Sequence, residues 1–339
     1  MGAPARVVRS KEVVYMASMT YQVKQMRYNL KKQYAKEQTD KDGNLLPTKS
    51  ITTGTRKQYL DATIKFVIWA KKQYKCKTPE DCRPYIQGYA DYLAKSGKSA
   101  STIHTYLSGI CRTYAVHLDD YNIPTRRTSE ITRSRGSKAV DKRADAQPEV
   151  SPRLYAFATV VGIRRSEYRE LKGNNLIIDE SGYPCVEVVR GKGGKYQLQR
   201  VFEDDVDMVK SLFAKAENED YLFSFSEMAN KIDLHHLRAL QAQRAYQHYL
   251  KRIENEGREN LTEEIKARWK KYNRKKRWNP RVVRGTYYLR GRNREFALAH
   301  GLPTAYDRLA LMATSVFHLS HWRTNVCVCN YLLAIDDNS

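Results

Sequence analysis

Residues 122–147 carry almost no apolar side chains, and no other feature limits the possible folds of this chain as much. The stretch passes through Pro124, Thr125-Arg126-Arg127-Thr128 and Arg133-Ser134-Arg135-Gly136-Ser137-Lys138. A segment of that composition buries too little surface to offset the entropy lost on ordering it, so it cannot belong to a core. It reads as a basic linker, 122–150, able to pass across a duplex between two domains, and 339 residues are enough for two cores of ordinary size.

Ahead of the linker the apolar residues recur at helical spacing. Thr55 can cap a helix whose stripe is Tyr59, Leu60, Ile64, Val67 and Ile68; a second helix follows Pro79 with Cys82, Tyr85, Ile86, Tyr89, Tyr92 and Leu93. After the turn at Gly97 a third, capped by Ser99 or Ser101, carries Ile103, Tyr106, Leu107, Ile110 and Tyr114. Stripes of this kind are core, so 51–121 reads as a small helical bundle. Its opposite faces offer Lys71, Lys72, Lys98, His104 and Arg112 to phosphates, joined by Arg126 and Arg127 of the linker. Residues 1–50 read as a basic arm with a helix over 18–38 and a polar turn at 39–44. That turn imitates the start of a calcium loop, but Ile51 stands where the twelfth-position Glu is needed, so it is read as a turn alone.

The second domain, 151–333, opens with Ser151 as a cap and Pro152 at the first helical position. The apolar run 154–161 ends at Gly162-Ile163, and Ser166 and Glu167 open a new helix with Arg164 at its N-terminus and Arg165 beside it. Backbone N–H groups and a forked cation can converge on an anion there, although an Arg-Arg pair alone is more often solvated surface. Residues 176–178, 185–189 and 196–202 read as a small antiparallel sheet with a Gly-rich tip, Arg190-Gly191-Lys192-Gly193-Gly194-Lys195. The tip leads into a strand, whereas a phosphate-cradling P-loop leads into a helix, so what remains is a mobile lysine, Lys192 or its neighbour Lys195. Asp233 opens the next helix, placing His235 and Arg238 on one face of its first turn. Residues 251–277 read as a charged, solvated helix whose tail, with Lys275 and Arg277, interleaves cations with aromatics. Residues 282–289 read as strand and 305–317 as helix.

The 60 Lys and Arg residues against 37 acids give a formal charge of +23, spread along the whole chain. Such a field attracts a polyanion, most often nucleic acid; a ribosome-associated protein or a merely basic surface are the alternatives. With no apolar run of 18 residues and no signal-peptide core, a cytoplasmic protein is expected, nucleoid-associated when bound to DNA. Six scattered cysteines read as reduced thiols. A zinc reading of His318, His321, Cys327 and Cys329 fails for want of a finger or ribbon spacing, so no metal is assigned.

In order, the chain presents G-I-R-R-S-E at 162–167, G-K-G-G-K at 191–195, H-H-L-R at 235–238, L-S-H at 319–321 and N-Y-L at 330–332. This succession resembles the tyrosine recombinase (phage integrase) family, of the mobile-element type, over about residues 50–333; S-A-S-T-I-H-T-Y-L at 99–107 is similar to its core-binding domain. The resemblance implies a mainly α fold with a small antiparallel β-sheet (α+β). In such a fold a helical core-binding domain and a catalytic domain form a C-shaped clamp on double-stranded DNA. It also implies a homo-tetramer on two sites, accessory DNA-bending or directionality proteins, and a metal- and ATP-independent site-specific recombinase that integrates or excises a mobile element, with no cofactor. Arg164 and Arg238 would then neutralise the scissile phosphate, and Tyr331 would attack phosphorus. A phenol with a pKa of about 10 wants a base, here His235; Lys192 would protonate the leaving oxygen and His321 would bond the phosphate. The same chemistry also serves a type IB topoisomerase or a hairpin-forming resolvase, and a dead site would leave a DNA-binding accessory protein. L-S-H stands where L-G-H is usual. Arg238 and His321 lie 83 positions apart, which implies an insertion at about 251–290, and the tail at 334–339 is short.

Overall fold

The computed structural model describes residues 18–34, 53–127, 143–191, 195–272 and 277–333, with the side chains of 29–34, 53 and 195 excepted. The expected turn at 39–44, the linker centre, Lys192, Lys275 and the tail 334–339 lie outside the described residues. Among the described residues no helix is long and apolar enough to cross a membrane. The chain divides into two compact units, Met1–Arg126 and Arg127–Ser339.

The first unit comprises α1 (Met19–Tyr34), α2 (Thr53–Tyr74), α3 (Ile86–Lys95) and α4 (Ala100–Tyr114). Ser99 is the cap of α4, its hydroxyl accepting from the Thr102 N–H at 3.3 Å. On α2 the buried line is Ala62, Thr63, Phe66, Val67 and Ala70, whereas Ile68, expected in the stripe, is 55% exposed. The reason is how closely α4 crosses α2. A Cβ on Gly109 would lie 2.8 Å from the Tyr59 Cα, and the Thr63 and Thr113 hydroxyls meet at 3.0 Å. That contact turns the Thr63 face inward and Ile68, about 100° round the helix from Val67, outward.

The second unit starts with α5 (Pro152–Val160) and the single turn α6 (Arg165–Tyr168). Strands β1 (Leu176–Ile178), β2 (Pro184–Gly191) and β3 (Lys195–Arg200) form an antiparallel sheet with β2 in the middle, and Val186 faces Leu176 on one side and Gln199 on the other. Next come α7 (Val206–Phe213), α8 (Phe225–Met228), α9 (Leu234–Glu256) and α10 (Glu259–Tyr272). β4 (Thr286–Tyr288) then precedes α11 (Gly291–Ala299), β5 (Ala305–Asp307), α12 (Arg308–Ala313) and α13 (Thr324–Cys327). Wide π-helical turns at Thr314–His318 and Val328–Leu332 follow α12 and α13. The fold is thus mainly α with small antiparallel sheets, as the sequence implies.

α9 is the spine of this unit. Its first turns put Leu234 and Leu237 into a core shared with α5, the three-stranded sheet and α7, and its later turns put Ala242, Tyr246 and Tyr249 into a second core with α10, α12 and the C-terminal turns.

Two expectations are corrected. The charged segment after residue 250 is not a solvated face: Leu261, Ile265, Arg268 and Trp269 of α10 are buried. Its charges are drawn inward by partners on β3, in the turn between β1 and β2, and on α9. Asp179 takes Arg200 at 2.8 Å and Arg268 at 2.5 Å, Arg268 also reaches Glu180 at 2.9 Å, and Glu264 takes Arg200 and Arg252, each at 2.6 Å. Charges this deep are tolerated because each meets an opposite charge in hydrogen-bonding geometry. The second correction concerns 305–317, expected to be one helix. Residues 305–307 pair with β4, and Asp307 then caps α12, its carboxylate accepting from the Leu309 and Ala310 N–H groups at 2.8 and 3.0 Å.

Candidate active site

The corner between α5 and α6 sets the first arginine. The Tyr168 hydroxyl donates to the Val161 carbonyl at 2.6 Å, pinning the corner from inside. Arg164, in extended conformation, caps α6 and donates its backbone N–H to the Glu167 carboxylate at 2.8 Å. Its guanidinium donates to the same carboxylate at 2.7 Å and to the Gln197 side-chain oxygen at 3.5 Å, and 30% of the side chain stays exposed. Glu167 is buried and also accepts from the Gln197 amide at 2.8 Å. Burial alone would raise its pKa, but Arg164 and the Gln197 amide outweigh it and hold the carboxyl below its usual range. The N–H of Arg164 is therefore committed to Glu167, and the anion-attracting element at this corner is the guanidinium.

Arg165 faces the other way, both terminal nitrogens donating to the Asn230 side-chain oxygen at 3.2 Å and one to the Ile232 carbonyl.

Arg238 is fully buried on α9. It donates to the Gly162 carbonyl, to the Leu319 carbonyl at 2.8 Å and, through Nε, to the Tyr331 hydroxyl at 3.3 Å. A guanidinium carries five N–H groups, so this arrangement orients the fork and still leaves donors for an anion. Gly162 matters by its smallness: a Cβ there would stand 3.3 Å from the Arg238 Cγ and 3.2 Å from the Gln241 side-chain oxygen.

Tyr331 lies in the last π-helical turn, 5% exposed. The His235 ring approaches it edge-on, centroids 5.5 Å apart at 64°, and the His321 ring lies at 6.2 Å and 27°. His235 sits on the first turn of α9, which the Asp233 carboxylate caps by accepting from the His235 and His236 N–H groups at 3.0 and 2.9 Å. The His321 backbone N–H donates to the Ser315 carbonyl at 2.8 Å. Its two ring nitrogens are shielded from solvent with no hydrogen-bond partner among the described residues. Burial, then Arg238, Arg164 and Arg323, push its pKa down to about 3, so the imidazole is neutral at physiological pH. Trp322 packs edge-on against Trp269 of α10 at 5.1 Å, so that helix supports this loop.

Three of the six expected catalytic side chains, Arg238, His235 and His321, therefore gather around the phenol of a fourth, Tyr331; Arg164 is near enough to His321 to lower its pKa, and Lys192 lies outside the described residues. The gathering offers two forked cations, two imidazoles of different exposure and a phenolic oxygen, the groups needed to hold an oxyanion and attack it. Glu167, Gln197 and Gln199 were missed by sequence reasoning. Glu167, three residues after Arg164, was the one with a visible signal.

His318 is structural: Gln241 and Tyr249 engage its ring nitrogens at 2.9 and 3.1 Å, and burial holds its pKa well below the ordinary value. Of the expected DNA-contacting residues, Lys71, Lys72, Lys98, Arg112, Arg126, Arg127 and Arg277 are exposed. The His104 ring bonds the Pro124 carbonyl at 3.0 Å, and Lys195 begins β3, paired with Gly191.

No protein-family model matches the chain, and no curated protein matches it. Among solved structures the crystal structure of XerA recombinase is similar at 18% identity and a TM-score of 0.23, over 67% of this chain and 84% of that one.

Proposed function

We propose that this chain breaks and rejoins DNA through Tyr331, as a tyrosine recombinase mediating integration or excision of a mobile element. The Tyr331 oxygen attacks phosphorus, the bond from phosphorus to the 5′ oxygen breaks, and the DNA is held as a 3′-phosphotyrosine. His235 takes the phenolic proton, Lys192 gives a proton to the departing 5′ oxygen, and Arg164, Arg238 and His321 hold the non-bridging oxygens. Energy conserved in the covalent link drives rejoining. The observation that carries the reading is the 3.3 Å contact between the Tyr331 hydroxyl and Arg238, made across 93 residues of chain. A phosphate bound by that guanidinium would meet the nucleophile directly. The net charge of +23 suits double-stranded DNA as substrate.

The test is a duplex nicked next to the scissile phosphate, drawn from fragments flanking the coding region, with products run on a denaturing gel. A covalent complex that disappears in Tyr331→Phe supports the reading, and its absence from the parent on every duplex leaves a binding protein only. Strand exchange between two duplexes, as against relaxation of one supercoiled circle, separates a recombinase from a topoisomerase.

A further inference from the structure

His321 does not hold its own position, because its ring nitrogens bond nothing among the described residues. The segment leading into it is fixed by other groups. Leu319 gives its carbonyl to Arg238 at 2.8 Å, and His321 gives its N–H to Ser315 at 2.8 Å. Between these two bonds the backbone must reverse direction, and it does so at Ser320, whose φ of +47° lies in the left-handed region that non-glycine residues rarely enter. Such a conformation persists only where the surroundings over-determine it. Here β3 does so from outside the loop: the Ser320 hydroxyl donates to the Leu198 carbonyl at 3.0 Å and accepts from the Gln199 amide at 2.9 Å. The Gln199 side chain is buried, and among the described residues its oxygen has no partner and its amide bonds only Ser320. Two residues earlier on the same face of β3, Gln197 braces Glu167 and Arg164.

We propose that Gln199 and Ser320 are a positioning pair that locks the reversal before His321, so that β3 aligns the Arg164 corner and the His321 loop on one phosphate. The proposal rests on the DNA-cleaving reading of the site. Neither residue touches the reacting atoms.

Ser320→Ala, Ser320→Gly, Gln199→Met and the double variant Ser320→Ala/Gln199→Met are compared with the parent protein. Three quantities are measured: single-turnover formation of the covalent complex at saturating nicked duplex, duplex affinity, and Tm. Ser320→Ala and Gln199→Met each slow the covalent step about tenfold, with affinity within about twofold and Tm little changed. The double variant is no slower than the slower single, because the two act as one unit. Ser320→Gly is slowed less than Ser320→Ala, since glycine enters the reversal without strain. An unchanged rate, additive losses, or losses that follow Tm or affinity would overturn the pairing. A second readout needs no activity: the His321 ring signals, followed by NMR at neutral pH, where burial keeps the imidazole neutral. They shift in Ser320→Ala as the loop moves and water reaches the ring. If the parent forms no covalent complex, the DNA-cleaving reading fails; the pair is then judged on these signals, and unmoved ones sink it.

Discussion

The helical bundle before the polar stretch and the site after it are held by opposite kinds of contact. In the bundle, Phe66, Val67, Ile103, Leu107 and Ile110 are all fully buried, and the stabilising term is apolar area, which has no direction. In the site, Arg238 fixes three partners 76, 81 and 93 residues away, and Glu167 takes donors from Arg164 and from Gln197 across 30 residues. Apolar packing of the first kind tolerates similar shapes, whereas a directional polar arrangement of the second kind fails when one partner is removed. The two regions should therefore respond differently to substitution.

The sharpest break is Tyr331→Phe. It should abolish the covalent complex while costing only about 1 kcal/mol of stability, the worth of one hydrogen bond, as a denaturant titration would show. A large loss of stability would mean that the site and the core cannot be separated. Next is Asp179→Asn, which leaves Arg200 and Arg268 buried beside a neutral partner and should cost about 3–5 kcal/mol. Its pH dependence has a definite sign. Burial alone would raise the Asp179 pKa, but Arg200 and the Tyr183 N–H hold it below the ordinary value. A carboxyl depressed in the folded state contributes stability above its unfolded pKa, near 4, and loses that stability as pH falls through the folded value. Thermal melts of the parent should therefore drop steeply below about pH 4, and Asp179→Asn should flatten that drop.

In the bundle, Phe66→Ala should cost about 3–5 kcal/mol through the cavity it opens, with no dependence on pH. Gly109→Ala should cost about 1–3 kcal/mol, since the added carbon meets the Tyr59 backbone and α2 must move. Smallest is Ile68→Lys, expected within about 0.5 kcal/mol because the side chain is already exposed. A cost of several kcal/mol there would show that the sequence-derived stripe, and not the observed one, faces the core.

The bundle helices were legible because their contacts repeat at a local period: Ile103, Leu107, Ile110 and Tyr114 follow from spacing alone. Where the reading slipped, at Ile68, the choice between adjacent faces was made by the crossing at Gly109. The site was legible as an ordered set of residue types, Arg164, His235, Arg238, His321 and Tyr331, through family resemblance and not through any period. The spacing of three residues hinted that Arg164 turns to Glu167, but nothing local announced that Arg165 turns to Asn230. The segment 251–277 misled because charge density ordinarily means a solvated face, and the partners that bury it, Asp179 and Glu180, stand about 90 residues away in the turn between β1 and β2.

By itself the sequence determined the bundle helices, the caps at Ser99 and Asp233, and the three-stranded sheet. These follow from composition, local periodicity and hydrogen bonds spanning a few residues. Only the tertiary structure decided which guanidinium reaches the phenol, which carboxylate each arginine takes, and how Ser320 comes to reverse the chain ahead of His321. Those outcomes depend on distance and angle between segments that have no local reason to approach, and packing alone brings them together.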